Sequence, residues 1–238
     1  SRVSARAALA RDWRMRLRSD EIGGLYLGEV EPLHVTGKPG KADVWRARLD
    51  DGTRVVVKDF SLKPGVWRVW GRILVRREEA LLRRLEDLPA VPDLVRCDSP
   101  LTVVQVAVPG EPLFRTPREE FDPVDLERLR GIVDQVHRRG IVHNDLRARD
   151  NTLIDRSSGR LYVVDWAGGI RLRPGSRLHR AVFGRLRLVD LSALAKWRAK
   201  LAPGTLSAAD REFIERYRIW RYLWPFNRKG LSRKRRRA

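Results

Sequence analysis

The sequence has 238 residues and a mass of 27.5 kDa, with 42% hydrophobic and 34% charged residues. This size allows one large domain or two small lobes, and the composition excludes a disordered tail and a bundle of membrane-spanning helices. No apolar run approaches the roughly 18 residues that a spanning helix needs. Cys97 is the single cysteine, which excludes an intramolecular disulfide and a cysteine-based zinc site and fits a reducing compartment.

The net charge of +20 is concentrated in the C-terminal third. Residues 1–170 hold 30 Lys and Arg against 26 Asp and Glu, a net of +4, whereas residues 171–238 hold 20 against 4, a net of +16. A neutral body with a basic end predicts a polyanionic partner such as an anionic lipid, a phosphorylated glycan or nucleic acid. The alternative interpretation is a solvated charged face without a specific partner.

The N-terminal half is predicted to be rich in strands. Residues 1–18 alternate small residues with arginines, which indicates a basic arm or helix and does not resemble a secretory signal. Residues 33–57 predict three strands joined by turns, one of them at Asp51-Gly52. The last of these strands is a β-branched Val-Val-Val run that leads directly into Lys58.

Two further elements complete this half. Residues 78–88 predict a helix with Leu81, Leu82 and Leu85 on one face, ended by Pro89. Residues 101–108 predict a buried strand, which Pro-Gly terminates.

The second half begins with a helix that is predicted over residues 125–139 from its apolar period of about 3.6. Gly140 is a candidate residue for its C-terminal cap, and a polar loop follows over residues 143–150. Two short strands, at 152–154 and 161–164, are predicted to follow that loop.

The remaining chain is predicted to be mostly helical. Ser207 and Asp210 form a candidate capping pair in front of a helix that carries an aromatic stripe and stops at Pro225. The stripe consists of Phe213, Ile214, Tyr217, Trp220 and Trp224. We expect it to pack against the domain, the alternative being a position at a lipid headgroup interface.

The order of these parts resembles that of a protein-kinase-like phosphotransferase, which implies phosphoryl transfer from ATP, a reaction that needs positioning and charge neutralisation. Lys58, at the end of its strand, would reach the α- and β-phosphates. Its ammonium requires a carboxylate to hold it in place. Glu78 is the preferred candidate because Leu81 and Leu82 follow it at helical spacing, and Glu79 is the alternative.

The polar loop supplies the remaining chemistry. Asp145 would orient the acceptor hydroxyl and take its proton. Asn151 and Asp165 would hold Mg²⁺ through an amide and a carboxylate oxygen, with Asp150 as the reserve ligand. His143 is expected to brace the loop rather than to take part in catalysis.

Two segments would hold the nucleotide. The turn that contains Gly37, Lys38 and Gly40 would cover the phosphates, because glycines allow a close approach of the backbone. The backbone of Gln105 and Ala107 would meet the adenine.

The sequence therefore resembles the protein-kinase-like superfamily over residues 33–170. The matching positions are Lys58, Glu78, Asp145, Asn151 and Asp165. The run His-Asn-Asp-Leu at 143–146 followed by Asn151 looks most like the bacterial lipopolysaccharide core kinases, which act on heptose and Kdo, and like their RIO-related relatives.

The resemblance implies an α+β, bilobal fold with a small β-rich N-lobe and a reduced, mostly helical C-lobe. The implied divisions are a basic arm (1–30), the N-lobe (31–108), the C-lobe (109–226) and a basic tail (227–238). The implied cofactors are ATP and Mg²⁺.

The sequence departs from the superfamily pattern in three ways. Asn151 lies six residues after Asp145 instead of five, and Asp165 is followed by Trp-Ala instead of Phe-Gly. Only 73 residues follow Asp165, which is too short for a peptide-binding lobe. The resemblance and the basic end together imply transfer to a sugar hydroxyl of a lipopolysaccharide core-type glycolipid, at the cytoplasmic face of a bacterial inner membrane.

Two alternatives remain. The acceptor could be protein, as in a serine/threonine kinase that phosphorylates itself, or the chain could be a pseudokinase or a basic module that binds nucleic acid. The complete set of catalytic side chains weighs against the second alternative.

Asp190 is a candidate brace beneath the polar loop or a helix cap, and the cap is the preferred interpretation.

Overall fold

The computed structural model describes residues 21–22, 25–34 and 38–223. The chain forms two units, the first comprising Ser1–Gly110 with Ile154–Gly169 and the second Glu111–Leu153 with Ile170–Ala238. The predicted basic arm over residues 1–18, Gly37 and the tail over 227–238 lie outside the described residues.

The first unit contains a six-stranded antiparallel sheet with the order β1-β2-β3-β4-β6-β5. Its strands are β1 (Glu21–Ile22), β2 (Leu25–His34), β3 (Asp43–Leu49), β4 (Arg54–Asp59), β5 (Leu94–Val95) and β6 (Thr102–Val106). Burial alternates along β4, so that Val55 and Val57 enter a core with Trp45 and Val104. The predicted turn at Asp51-Gly52 is confirmed, with Gly52 at φ +84°.

A 21-residue helix, α1 (Gly65–Leu85), follows β4. The predicted helix over 78–88 therefore started too late and ended too late. The first half of α1 carries its large apolar side chains on an exposed face, so apolar periodicity gave no sign of a buried helix there. Gly71 lets the helix lie close to Phe60, because a Cβ at this position would come within 2.6 Å of that side chain.

The segment Ile154–Gly169 completes the first unit and positions Asp165. It contains β10 (Arg160–Val163), and the Val163 N–H donates to the Ala90 carbonyl at 2.7 Å. Trp166 is fully buried, and its indole N–H donates to the Val163 carbonyl at 3.0 Å. These contacts fix the backbone on both sides of Asp165.

The second unit is mostly helical. Its described helices are α2 (Val124–Arg138), α3 (Arg177–Leu186), α4 (Leu188–Leu201) and α5 (Ala208–Leu223). Its short strands are β7 (Glu111–Pro112), β8 (Ile141–Val142) and β11 (Ile170–Arg171), and the chain leaves this unit within β9 (Thr152–Asp155). Helix α4 packs against α2, α3 and α5, and β8 pairs with β11 in antiparallel orientation. The α+β class that the sequence predicted is thus present, with a first unit rich in strands and a mostly helical second unit.

Helix α2 matches its prediction to within one residue at each end. Its buried positions include Leu126, Leu129, Val133 and Val136, which is the face that the apolar period indicated. Gly140 follows the helix at φ +72°, and a Cβ there would lie 2.2 Å from the Leu172 carbonyl oxygen. This turn directs the chain through β8 into the polar loop.

The capping pair of α5 is confirmed. The Asp210 N–H donates to Ser207 Oγ at 3.0 Å, and the Ser207 N–H donates to Asp210 Oδ2 at 3.1 Å. Phe213 and Tyr217 stack with ring centroids 5.9 Å apart. The Trp220 side chain, Trp224 and Pro225 lie outside the described residues, so the rest of the aromatic stripe stays a prediction. Within the described ranges, no helix combines the length and the hydropathy that crossing a membrane would require.

Candidate active site

Lys58 is the centre of a charged cluster in the first unit. Its Nζ donates to Glu78 Oε1 at 2.5 Å and to Asp165 Oδ1 at 2.9 Å, and its side chain is only 12% exposed. Burial by itself would lower the pKa of Lys58, but the two carboxylates outweigh burial and raise the pKa above its ordinary value. Lys58 is therefore a fixed cation at neutral pH.

Glu78 is held on α1 by a second contact. Its side chain is 3% exposed, and Gln105 Nε2 donates to the same Oε1 atom at 2.9 Å. The neighbouring Glu79 instead lies 3.6 Å from Arg83, within α1. The geometry thus favours Glu78 over Glu79 as the partner of Lys58, while its role in catalysis stays a prediction.

Gln105 and Ala107 were predicted to meet adenine through their backbone. Gln105 lies opposite Val56 in the β4–β6 ladder, and the Ala107 N–H donates to the Arg54 carbonyl at 2.8 Å. In an antiparallel ladder, every second residue pair exchanges two backbone hydrogen bonds. Because Ala107 bonds to Arg54, the next such pair is Gln105 with Val56, and the Gln105 backbone is therefore also hydrogen-bonded to β4. The contact that the sequence did not reveal is made by the Gln105 side chain, which holds Glu78.

Asp165 adopts the left-handed conformation, with φ 67° and ψ 67°, which Asp tolerates better than most residues. Its side chain is 48% exposed although one oxygen contacts Lys58. Three residues after Trp166, the Gly169 carbonyl accepts two hydrogen bonds from the Arg77 guanidinium, and the bond from Nε is 2.8 Å long. No sequence signal separated Arg77 from its neighbour Arg76, which is also exposed.

The predicted phosphate-covering turn is described only in part. The Lys41 N–H donates to the Lys38 carbonyl at 3.2 Å, and Lys38 is exposed. A Cβ on Gly40 would lie 3.0 Å from the Trp67 ring, so this glycine allows a close approach to α1. The role of these residues and of Gly37 in covering phosphates stays a prediction.

Asp145 lies in the polar loop of the second unit and is exposed. Asn151 is 5% exposed, and its Nδ2 donates to the Asp145 carbonyl at 3.0 Å and lies 3.4 Å from Asp145 Oδ2. The six-residue spacing therefore still brings the amide to Asp145. Asp150 instead forms an ion pair with Arg115, whose Nη2 lies 2.8 Å from Asp150 Oδ1. This contact favours Asn151 over Asp150 as the metal ligand.

The interpretation of Asp190 as a helix cap was wrong, because Asp190 is the third residue of α4 and supports the polar loop. It is 1% exposed, and its two oxygens accept the N–H groups of His143 and Asn144, each at 2.8 Å. Oδ2 also lies 3.0 Å from His137 Nε2. The missed signal was an acidic residue inside the apolar run of α4, since a buried carboxylate requires partners.

Two further side chains hold the loop. His143 is 1% exposed, and its Nδ1 accepts the Asp145 N–H at 3.2 Å, which is the bracing contact expected of it. The Trp197 indole N–H donates to the Leu146 carbonyl at 3.1 Å, and the Trp197 ring stacks on Phe114 with centroids 4.2 Å apart. No pattern in the sequence indicated a role for Trp197.

Each unit holds one side chain that fits a hard cation. In the second unit, Asn151 uses its Nδ2 on Asp145, which leaves Oδ1 as the acceptor atom of that amide. In the first unit, Asp165 has a half-exposed carboxylate. Mg²⁺ prefers oxygen ligands and keeps water and phosphate in much of its shell, so few protein ligands suffice. Within the described ranges, no group of three or more His, Cys, Asp and Glu side chains is arranged to hold a metal.

Comparison with known proteins identifies the fold. Two crystal structures of the Rio2 kinase from Chaetomium thermophilum are similar to the chain, one of them a complex with ADP/Mg²⁺ and phosphoaspartate. The complex has a TM-score of 0.56 and 16% sequence identity, and the match covers 81% of this chain and 62% of the Rio2 chain. The other structure has a TM-score of 0.55 and 18% sequence identity, and the match covers 81% of this chain and 63% of the Rio2 chain. This chain therefore spans less than two thirds of the Rio2 chains. No family model matches the sequence, and no curated protein matches it.

Proposed function

We propose that this chain, which has the protein-kinase-like fold, is a kinase that uses ATP and Mg²⁺ to phosphorylate a hydroxyl group. The observation that carries the proposal is the buried Lys58 ammonium between Glu78 and Asp165. A lysine fixed by one buried carboxylate, beside a second carboxylate that is half exposed, suits the binding of nucleotide phosphates. The proposal is supported by the similarity of the fold to two structures that are named as Rio2 kinase.

In the first unit, the chain would bind and orient the nucleotide. Lys58 would contact the α- and β-phosphates, and Glu78 would hold its ammonium in place. Asp165 would be a ligand of the bound Mg²⁺, which neutralises phosphate charge when present.

In the second unit, the chain would prepare the acceptor. Asp145 would hydrogen-bond the acceptor hydroxyl and take its proton as the oxygen–phosphorus bond forms. The bond between the γ-phosphorus and its bridging oxygen breaks, and ADP leaves with that electron pair. Asn151 would hold Asp145 through Nδ2 and offer Oδ1 to Mg²⁺.

We further propose that the acceptor is a sugar hydroxyl of a lipopolysaccharide core-type glycolipid. The run His-Asn-Asp-Leu at 143–146 with Asn151, together with the net charge of +16 over residues 171–238, supports this acceptor. An acceptor that carries phosphate groups would be attracted to such a basic region. A protein acceptor is the outcome that would replace it.

The proposed location is the cytoplasmic face of a bacterial inner membrane, and one surface of α1 supports it. Val66, Trp67, Trp70 and Ile73 are exposed large apolar residues at helical spacing. Arginines at 68, 72 and 76 form an adjacent exposed row, with one residue per turn. Exposed Trp beside Arg is the pattern of a helix that lies on an anionic lipid surface.

The activity is tested by incubating the full chain with Mg²⁺ and γ-labelled ATP in the presence of bacterial envelope glycolipid and envelope protein. We expect label in the glycolipid, and no label when Asp145 is replaced by Ala. Label confined to protein would replace the glycolipid by a protein acceptor. No label in either fraction, in a chain that binds ATP, would contradict the proposed kinase activity.

The location is tested by sedimentation with phosphatidylglycerol vesicles. Trp67→Ala/Trp70→Ala should reduce the bound fraction about tenfold or more, because two aromatic side chains leave the interface. Val124→Ala/Leu178→Ala, which changes two exposed apolar side chains outside α1, is the matched control. Equal binding of both variants and of the unmodified chain would exclude this surface as the membrane contact.

A further inference from the structure

A cavity of about 620 Å³ lies in the second unit, beside the polar loop. This volume is within the range of roughly 300 to 1,000 Å³ that small-molecule sites occupy. Its charged lining residues are Arg115, Arg118, Arg149, Lys200 and Asp150.

The lining carries an excess of positive charge. Four cations and one carboxylate give a formal charge of +3. The Asp150 carboxylate is engaged by Arg115, whose Nη2 lies 2.8 Å from Oδ1 and 2.9 Å from Oδ2. Within the part of the chain that the structure describes, no ion pair involves Arg118, Arg149 or Lys200. Three cations therefore line the cavity without an acidic partner among those residues.

Buried residues support the cavity. Phe114 and Leu201 line it and are themselves buried, and Phe114 stacks on the buried Trp197 ring. The Lys200 ammonium lies 5.6 Å from the centroid of that ring. Because the Trp197 indole also donates to the Leu146 carbonyl, the cavity and the polar loop share one rigid support.

The cavity is close to Asp145 along the chain. Arg149 follows Asp145 by four residues, so their Cα atoms are at most about 14 Å apart even in an extended chain. Asp150 immediately precedes Asn151. A molecule that presents a hydroxyl to Asp145 is therefore within reach of the cavity if it is the size of a phosphorylated saccharide.

We propose that this cavity binds a phosphomonoester already present on the acceptor, an inference that rests on the proposed kinase function. Arginine forks match phosphate oxygens in pairs, and a lysine adds a point charge. A phosphate with a charge near −2 would offset most of the +3 of the lining. The acceptor class is then a phosphorylated sugar, either free or as the headgroup of a lipid.

The first experiment measures the binding of glucose 6-phosphate and of glucose to the full chain by calorimetry. ADP and Mg²⁺ are kept in excess so that the sugar phosphate does not compete for the nucleotide position. We expect glucose 6-phosphate to bind and glucose to bind at least about tenfold more weakly, the factor that corresponds to about 1.4 kcal/mol. Rising salt should weaken the binding of glucose 6-phosphate.

The variants test the cavity itself. Arg118→Ala/Arg149→Ala should weaken glucose 6-phosphate binding about a hundredfold, and Lys200→Ala about tenfold. Arg185→Ala, which removes an exposed arginine of α3 outside the cavity, is the matched control and should bind as the unmodified chain does. An unchanged affinity of the double variant would overturn the proposal.

Asp150→Asn is expected to act in the opposite direction. It removes the single carboxylate of the lining and releases Arg115, so glucose 6-phosphate should bind about threefold to tenfold more tightly. General damage to the fold does not increase affinity. A loss of binding in this variant would contradict an anion site.

The source of the phosphate is resolved by comparing ligands. Inorganic phosphate, vesicles that contain phosphatidic acid (a lipid phosphomonoester) and a phosphoserine peptide are compared with glucose 6-phosphate on the same variants. Preference for the peptide would replace the sugar class by a protein acceptor and overturn the proposal. Retained glucose 6-phosphate binding by a chain that transfers no label from ATP would instead refute the proposed function and leave the cavity as an anion site.

Discussion

The Lys58 cluster of the first unit and the Asp145 loop of the second unit are held in place by different means. In the first unit, the candidate site side chains hold one another: Lys58 contacts both Glu78 and Asp165 directly. In the second unit, Asp145 is exposed, and the two backbone N–H groups that precede it donate hydrogen bonds to the buried Asp190 carboxylate. One arrangement depends on charge pairing and the other on buried hydrogen bonds to the main chain.

This difference predicts how each region responds to substitution. A change in the Lys58 cluster leaves an uncompensated charge, because its members are also each other's partners. A change of Asp145 removes a chemical group without disturbing its support. A change of Asp190 removes the support without touching the chemistry.

The largest effect on activity is expected from Asp145→Ala. Loss of the group that takes the proton should lower the rate of phosphoryl transfer about a hundredfold to ten-thousandfold. ATP binding and the unfolding midpoint should change little, because the Asp145 side chain is exposed. Transfer is measured with γ-labelled ATP, and Asp134→Ala, which removes a half-exposed acid of α2, is the control. Transfer at the unmodified rate would remove Asp145 from the mechanism.

The next largest effect is expected from Lys58→Met. The variant leaves Glu78 buried beside Asp165 without a cation, which should cost about 3 kcal/mol or more of unfolding free energy. ATP affinity should fall at least about tenfold. Denaturant unfolding and nucleotide titration measure the two effects, with Arg54→Met, an exposed cation of the same strand, as control.

The raised pKa of Lys58 predicts that its charge does not change near neutral pH. A cation with a raised pKa contributes its full stability below the ordinary lysine value of about 10.4 and loses it only above that pH. An NMR titration of the Lys58 Nζ signal in the unmodified chain should therefore show no change of protonation from about pH 6 to about pH 9. A titration step within this range would show that Lys58 is not a fixed cation.

Much of the Lys58 cluster could be predicted from the sequence because its signals are local. A β-branched strand that ends in lysine and a helix whose leucines follow a glutamate both indicate which side chain is directed inward. The Gln105 side chain could not be assigned in the same way, since its contact with Glu78 depends on the register of β6 beside β4 and on the position of α1.

The support of the Asp145 loop was harder to predict because its contacts span long sequence separations. Asp190 and His143 are 47 residues apart, and Trp197 and Leu146 are 51 apart. The capping preference of Asp is a local propensity, whereas the buried position of Asp190 on α4 is decided by packing against α2. Tertiary structure therefore decided the role of Asp190.

Asp190→Ala tests that support. Two backbone N–H groups lose their acceptor, which should cost about 2 to 4 kcal/mol of unfolding free energy at about 1 to 2 kcal/mol each. The turnover rate should fall about tenfold while ATP affinity stays within about twofold, because the Lys58 cluster is untouched. Denaturant unfolding and steady-state kinetics measure these changes against Asp134→Ala. An equal loss of ATP affinity would mean that the two regions are not separately supported.

The smallest effect is expected from Gln105→Leu, which removes one of the two bonds to Glu78 Oε1 and keeps Lys58 in place. The loss should cost about 1 to 2 kcal/mol of stability and raise the KM for ATP about threefold to tenfold, with kcat nearly unchanged. Gln105→Glu should do more harm, because it places a like charge beside Glu78. Gln135→Leu on α2 is the control for the loss of an amide. If Gln105→Glu were no worse than Gln105→Leu, Glu78 would not carry the charge that holds Lys58, and the first region would no longer depend on charge pairing.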